Sequence, residues 1–166
     1  FFTSQVTSMG YMLYQCSSLT SVDVSSFDTS NVSSMYDMFY YCSKLQTIYA
    51  SEKFVTSRVY SGDYMFYSCT KLVGGARSTY SGERRSYAYA RLDAPDEPGY
   101  FTAKAGLTPH SILFVDAKTG SDANEGHCAA SPMKTIPKAL KAIAVNGRVY
   151  VSTGVYEPLT VANQEV

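Results

Sequence analysis

Apolar and polar positions alternate in two distinct rhythms along the first half of the chain. Leu19-Thr20-Ser21-Val22-Asp23-Val24 reads L-x-x-V-x-V, Leu45-Gln46-Thr47-Ile48-Tyr49-Ala50 matches it, and Val22 and Val24 alternate with polar neighbours. That period predicts a short, half-buried β-strand in each stretch. Between these segments the spacing changes. Met9, Met12, Leu13 and Cys16 fall at i, i+3, i+4 and i+7, as do Met35, Met38, Phe39 and Cys42, while Gly62, Met65, Phe66 and Cys69 keep the pattern with one loss. Such a stripe predicts a helical turn with one buried face.

The two rhythms belong to a repeat. Phe1-Phe2-Thr3-Ser4-Gln5-Val6-Thr7-Ser8-Met9 aligns with Phe27-Asp28-Thr29-Ser30-Asn31-Val32-Ser33-Ser34-Met35 at a shift of 26 residues. A third copy carries one extra residue between Leu45 and Phe54. A unit of one strand and one helical turn cannot bury its own apolar stripe, so the copies are expected to stack. Leu19 and Leu45, Val22 and Ile48, and Phe27 and Phe54 should then each lie against the next copy.

The pattern F-D-T-S-N-V-x-x-M-x-x-M-F-x-x-C-x-x-L resembles the 26-residue repeat of bacterial surface proteins grouped with the BspA-like leucine-rich repeats, and covers residues 1–75. Residues 76–110 resemble the closing segment that follows such repeats, with Ala88-Tyr89-Ala90-Arg91-Leu92-Asp93 and Pro98-Gly99-Tyr100-Phe101-Thr102 as its marks and Gly74-Gly75 just before it. The resemblance implies an extracellular or cell-surface bacterial protein. It also implies adhesion to a host or bacterial surface protein or glycan, and brings no catalytic residues with it.

Past Gly106 the character of the chain changes, and no further 26-residue copy occurs. Ile112-Leu113-Phe114-Val115-Asp116 reads as a buried strand, and residues 120–126 as a polar loop. Thr135 is placed to cap a helix whose apolar face is Ile136, Ala139, Leu140 and Ile143, with Asn146-Gly147 as its stop. Strands are expected at Val149-Tyr150-Val151 and from Leu159 to Val161. The order V-D-A-K-T-G-S-D-A-N-E-G, S-P-M-K-T-I-P-K-A-L, V-Y-V-S-T-G-V-Y resembles the N-terminal cap of pectin-lyase-like right-handed parallel β-helix proteins. That assigns residues 111–166 to a cap and first coil. The expected fold class is therefore a mixed α/β solenoid, a leucine-rich-repeat-like stack followed by the start of a right-handed parallel β-helix. Phe1 falls inside a repeat and Val166 early in a coil, so the chain reads as part of a longer protein. Its open apolar edges predict self-association or marginal stability.

Charge and chemistry narrow the function. Fourteen basic residues balance fourteen acidic ones, giving no net charge, whereas a nucleic-acid binder needs a basic excess. No apolar run is long enough to span a bilayer. Cys16, Cys42 and Cys69 share one column, and parallel Cβ vectors about 5 Å apart favour a ladder of buried thiols over a disulfide. Neither a zinc spacing nor a calcium loop can be assembled: Asp116, Asp122, Asn124 and Glu125 miss the required register and read as a turn-rich loop. His110 and His127 have no partnered nucleophile, and no pair of carboxylates is placed for glycoside cleavage. The chain is accordingly expected to have no catalytic, metal or cofactor site. Noncatalytic binding is the first reading, and the front portion of a carbohydrate-active β-helix enzyme is the alternative.

Two rows are candidates for the binding surface. Tyr14, Tyr40 and Tyr67 form a column beside the apolar stripe, and read either as an amphipathic rim over the core or as an aromatic platform. Ser21, Asp23 and Ser25, continued by Thr47, Tyr49 and Ser51, form the outward row of the strands. They read either as a solvated pleat or as a repeated binding face.

Overall fold

The computed structural model describes residues 2–104 and 110–156. The chain divides into two compact units, Phe1–Leu107 and Thr108–Val166.

In the first unit the repeats lie side by side in parallel. Strand β1 (Ser21–Asp23) pairs with β2 (Thr47–Ala50), Ser21 opposite Thr47 and Asp23 opposite Tyr49, one repeat apart. Single bridges join Ser8 to Ser34 and Ser34 to Ser61 in the same sense. The third strand of the sheet comes from outside the repeats: β3 (Phe101–Ala103) pairs with β2, Phe101 opposite Ile48. The third repeat turns away after Leu72 because Gly74 packs against a buried carboxylate. A Cβ on Gly74 would overlap Asp93 Oδ2 and the Gly99 carbonyl. Asp93 Oδ2 accepts the N–H groups of Ala76 and Ser78, at 2.8 and 2.9 Å, and Oδ1 accepts that of Gly99 at 2.9 Å.

The expected mixed α/β solenoid is not what forms. The described residues contain one α-helix, in the second unit, and the sheets are small, parallel and open. Backbone bonding explains the difference in the repeats. The N–H groups of Met9, Tyr11, Leu13 and Gln15 donate to the carbonyls of Ser34, Tyr36, Met38 and Tyr40 in the next repeat, at 2.7–3.0 Å. Those of Met12, Tyr14 and Cys16 close turns onto the carbonyls three residues back. No donors remain for an i→i−4 ladder. Left-handed residues reinforce this at every fourth position: Tyr11 and Gln15, Asp37 and Tyr41, Tyr64 and Ser68 all have φ between 55° and 60°. An α-helix cannot pass through such residues.

The stripe is nevertheless inside. Met35, Met38, Phe39 and Cys42 are fully buried, together with Leu45, Ile48, Met65, Phe66 and Cys69. Phe39 and Phe66 stack at 5.6 Å and 5°. Hydroxyls also join neighbouring repeats: buried Thr29 donates to the Val55 carbonyl and accepts the Val55 N–H, both at 2.7 Å. Ser51 donates to the Ser25 carbonyl at 2.6 Å.

In the second unit, β4 (His110–Val115) and β5 (Ile143–Val151) pair in parallel around Leu113, Val115, Met133 and Ala139. Helix α1 (Ile136–Ala142) is shorter than its pattern suggested, because Ile143 is already extended at φ −73°, ψ 143° and opens β5. Leu140, expected on the apolar face, is 51% exposed. Thr135 does not cap the helix with its side chain; its hydroxyl donates to Asp122 Oδ2 at 2.9 Å. Two strands and one helix do not make a β-helix coil, and the expected strand at 159–161 lies outside the described residues. No helix among the described residues is long and apolar enough to cross a membrane.

Candidate functional site

The left-handed turns that break the helix also present tyrosines. Within each repeat the chain reverses twice between positions equivalent to Met9 and Cys16, which in the second repeat buries Met35, Met38, Phe39 and Cys42 and leaves Tyr36, Tyr40 and Tyr41 at the surface. Outward-facing Tyr14, Tyr40 and Tyr67 then stand one repeat apart. Tyr14 stacks on Tyr40 at 5.1 Å and 8°, and Tyr40 on Tyr67 at 5.0 Å and 14°. The spacing is that of neighbouring strands.

A second set, not singled out in the sequence, flanks the first. Tyr36 lies edge-on between Tyr11, at 5.7 Å, and Tyr64, at 6.3 Å. Tyr11 meets Tyr14 at 5.6 Å and 63°, Tyr64 meets Tyr67 at 5.9 Å and 79°, and Tyr41 leans on both Tyr40 and Tyr67. These rings were hidden from the repeat register, because Tyr36 stands 25 residues after Tyr11 and 28 before Tyr64. Tyr11 is 58% exposed and Tyr14 39%, and Tyr41 and Tyr64 are also open to solvent.

Two charged groups complete the cluster. The Arg85 guanidinium sits over Tyr64 at 4.8 Å and Tyr67 at 5.8 Å. Its main chain is fixed there because the Arg85 carbonyl accepts the Phe66 N–H at 2.9 Å and Tyr87 donates to Gly62. Asp37 is only 7% exposed, and its Oδ1 has no hydrogen-bond partner among the described residues. Burial pushes the Asp37 carboxyl above the ordinary carboxylate range. Its charge in turn raises the Tyr36 phenol, with burial and neighbouring rings adding to the effect.

The strand row is differently employed. Asp23 and Tyr49 share a cation: Lys104 Nζ lies 2.9 Å from Asp23 Oδ2 and 5.2 Å from the Tyr49 ring. Asp23 also accepts the Ser25 N–H at 3.0 Å, and its carboxyl is lowered by the Ser25 hydrogen bonds and by Lys104, with burial opposing them. Ser51 is spent on Ser25, while Ser21 and Thr47 face each other across the register. This row therefore meets much of its polar demand within the unit.

All four cysteines are free thiols. Cys42 donates to the Leu13 carbonyl at 3.1 Å and Cys69 to the Phe39 carbonyl at 3.0 Å. Burial pushes their pKa values up to about 11 and about 12. Alkylation of the native chain at neutral pH is expected to label the half-buried Cys16 and Cys128, and to reach Cys42 and Cys69 only after unfolding. Mass mapping that finds Cys69 modified as fast as Cys16 would contradict the packing. In the second unit the loop acids are structural: Asp116 accepts the Lys118 and Thr119 N–H groups, and Asp122 those of Lys134 and Thr135. No group of three or more His, Cys, Asp or Glu side chains able to hold a metal occurs among the described residues.

No curated protein and no solved structure matches the chain. Residues 1–79, a little under half of it, match a family described as "Mycoplasma protein of unknown function, DUF285", so the stretch bearing the repeats and the tyrosine cluster is similar to that bacterial family.

Proposed function

We propose that the first unit is a noncatalytic binding module of a bacterial cell-surface protein, and that it engages a surface protein or glycan through the tyrosine cluster. The carrying observation is the three-ring stack of Tyr14, Tyr40 and Tyr67 at a spacing of 5 Å, edged by further exposed rings. Tyrosine offers a broad amphipathic contact that loses little conformational entropy on binding. A soluble domain has no packing need for a row of half-exposed rings this extensive, and contiguous exposed apolar area marks interaction sites. The strand row is the weaker platform, since Asp23, Tyr49, Ser25 and Ser51 are already engaged internally. The surface location rests on the repeat's resemblance to bacterial surface proteins and on its similarity to a Mycoplasma family.

The test is capture of host-cell extracellular proteins and arrayed glycans by the immobilised chain. A variant carrying Tyr14→Ala, Tyr40→Ala and Tyr67→Ala is expected to lose at least about tenfold in affinity, as loss of aromatic anchors does in other interfaces. Ser21→Ala with Thr47→Ala should leave binding unchanged. The opposite pattern would move the binding face to the strands, and equal binding by all three proteins would remove the platform altogether.

A further inference from the structure

The tyrosine cluster already holds one cation, and its geometry shows where others fit. Arg85 covers a ring pair, Tyr64 and Tyr67, that meets edge-on at 5.9 Å. The first repeat presents the same pair, Tyr11 and Tyr14, meeting edge-on at 5.6 Å, with both rings exposed. Tyr67 has Tyr40 against it and Arg85 over its ring, and at the other end of the stack Tyr40 is the one ring stacked on Tyr14 among the described residues. The unit repeats the device elsewhere, where Lys104 rests between the Tyr49 ring and the Asp23 carboxylate. Within the cluster Asp37 supplies an anion that nothing neutralises by hydrogen bonding: it is more than nine-tenths buried, and its Oδ1 has no partner among the described residues. Asp37 acts on the neighbouring Tyr36 and Tyr40 rings, and a buried carboxylate beside electron-rich rings favours a cation over a neutral sugar or an anion.

We propose that the tyrosine face of the first two repeats binds arginine side chains of a protein partner, Tyr11 and Tyr14 receiving a guanidinium as Tyr64 and Tyr67 receive Arg85. This rests on the binding-module reading above and names its partner chemistry. Guanidinium suits the site better than ammonium, because its planar, weakly hydrated group stacks on aromatic faces. Net charge does not supply the attraction, since the chain is formally neutral. Recognition is local to the ring faces, with Asp37 biasing the sign of what they accept.

The experiment titrates the chain with a nonapeptide of alternating arginine and glycine, and with the isosteric citrulline peptide, which lacks the charge. The chain has fifteen tyrosines and no tryptophan, so a change in tyrosine emission that the arginine peptide causes in the native chain and not in the Tyr11→Leu, Tyr14→Leu variant reports on these rings. The arginine peptide is expected to bind about tenfold more tightly than its citrulline counterpart, and the Tyr11→Leu, Tyr14→Leu variant to weaken it about fivefold. Asp37→Asn, which keeps the side-chain shape and tolerates the left-handed backbone, should weaken it about threefold without lowering the melting temperature. Arg85→Gln, which uncovers Tyr64 and Tyr67, should raise the number of peptides bound per chain. Equal affinity for the two peptides overturns the proposal, as does full retention of affinity in the Tyr11 and Tyr14 variant. If the triple tyrosine variant loses captured surface ligands while the arginine peptide never binds, the binding-module reading stands and this one falls.

Discussion

Asp93→Ala is expected to destabilise the first unit by about 3–5 kcal/mol, because it strands buried donors as well as removing a charge. The carboxylate is 2% exposed and accepts three backbone N–H groups, two from the turn at Ala76 and Ser78 and one from Gly99. Methyl replacement leaves all three facing a cavity with no acceptor. Asp93→Asn keeps the volume but sets an NH2 group against at least one of those donors, and should cost a substantial part of the same amount. The damage would spread into the sheet, since the chain between Asp93 and Phe101 delivers β3 to its place beside β2. Equilibrium urea unfolding of the two variants gives the measurement. A loss below about 1 kcal/mol for the alanine variant would mean that water replaces the carboxylate, and that the turn does not depend on it.

The second large effect is expected at Leu45. It is fully buried in the core of the first unit, at the point where the second repeat passes from its double turn into β2. Leu45→Ala should cost about 2–5 kcal/mol, the upper part of the range applying because fixed hydrogen bonds between repeats limit collapse around the cavity. Leu19→Ala should cost less, since Leu19 at the first repeat is only half-buried. The same denaturant series distinguishes them. Equal losses for the two leucines would show that the first repeat is as well covered as the second.

The contrast between these leucines indicates which parts of the fold can be read from the residues. The period of 26, the inward columns and the strands around Val22 and Ile48 follow directly from spacing, because burial is what the spacing encodes. The conformation of the apolar stripe does not follow. Met35, Met38, Phe39 and Cys42 satisfy a helical spacing, yet the chain buries them through paired turns whose left-handed members are tyrosine, glutamine, aspartate and serine. No glycine marks those positions, and the deciding bonds run to another repeat, beyond the reach of a local pattern. Similarly, Leu140 fits the stripe of α1, yet only Ile136, Ala139 and Ile143 of that stripe join the core and Leu140 stays exposed. Of the tyrosine cluster only the in-register column was legible. Tyr36 is offset from Tyr11 and Tyr64, while Arg85 reaches the rings from outside the repeats, and Asp37 occupies a position held by tyrosine in both neighbours.

The hydrogen bonds between repeats have a mechanical consequence. They join each repeat to the next, largely through equivalent donors and acceptors: Met9, Leu13 and Gln15 in the first repeat correspond to Met35, Phe39 and Tyr41 in the second. Tension entering through the chain at the first repeat would draw along those bonds, so they would open in succession and one repeat would peel away while the next still held. Each release would free about 90 Å of chain, from 26 residues at roughly 3.3–3.6 Å each. Under load such a unit yields in steps and dissipates work at every boundary, where a domain clamped by strands in shear would resist and then fail at once.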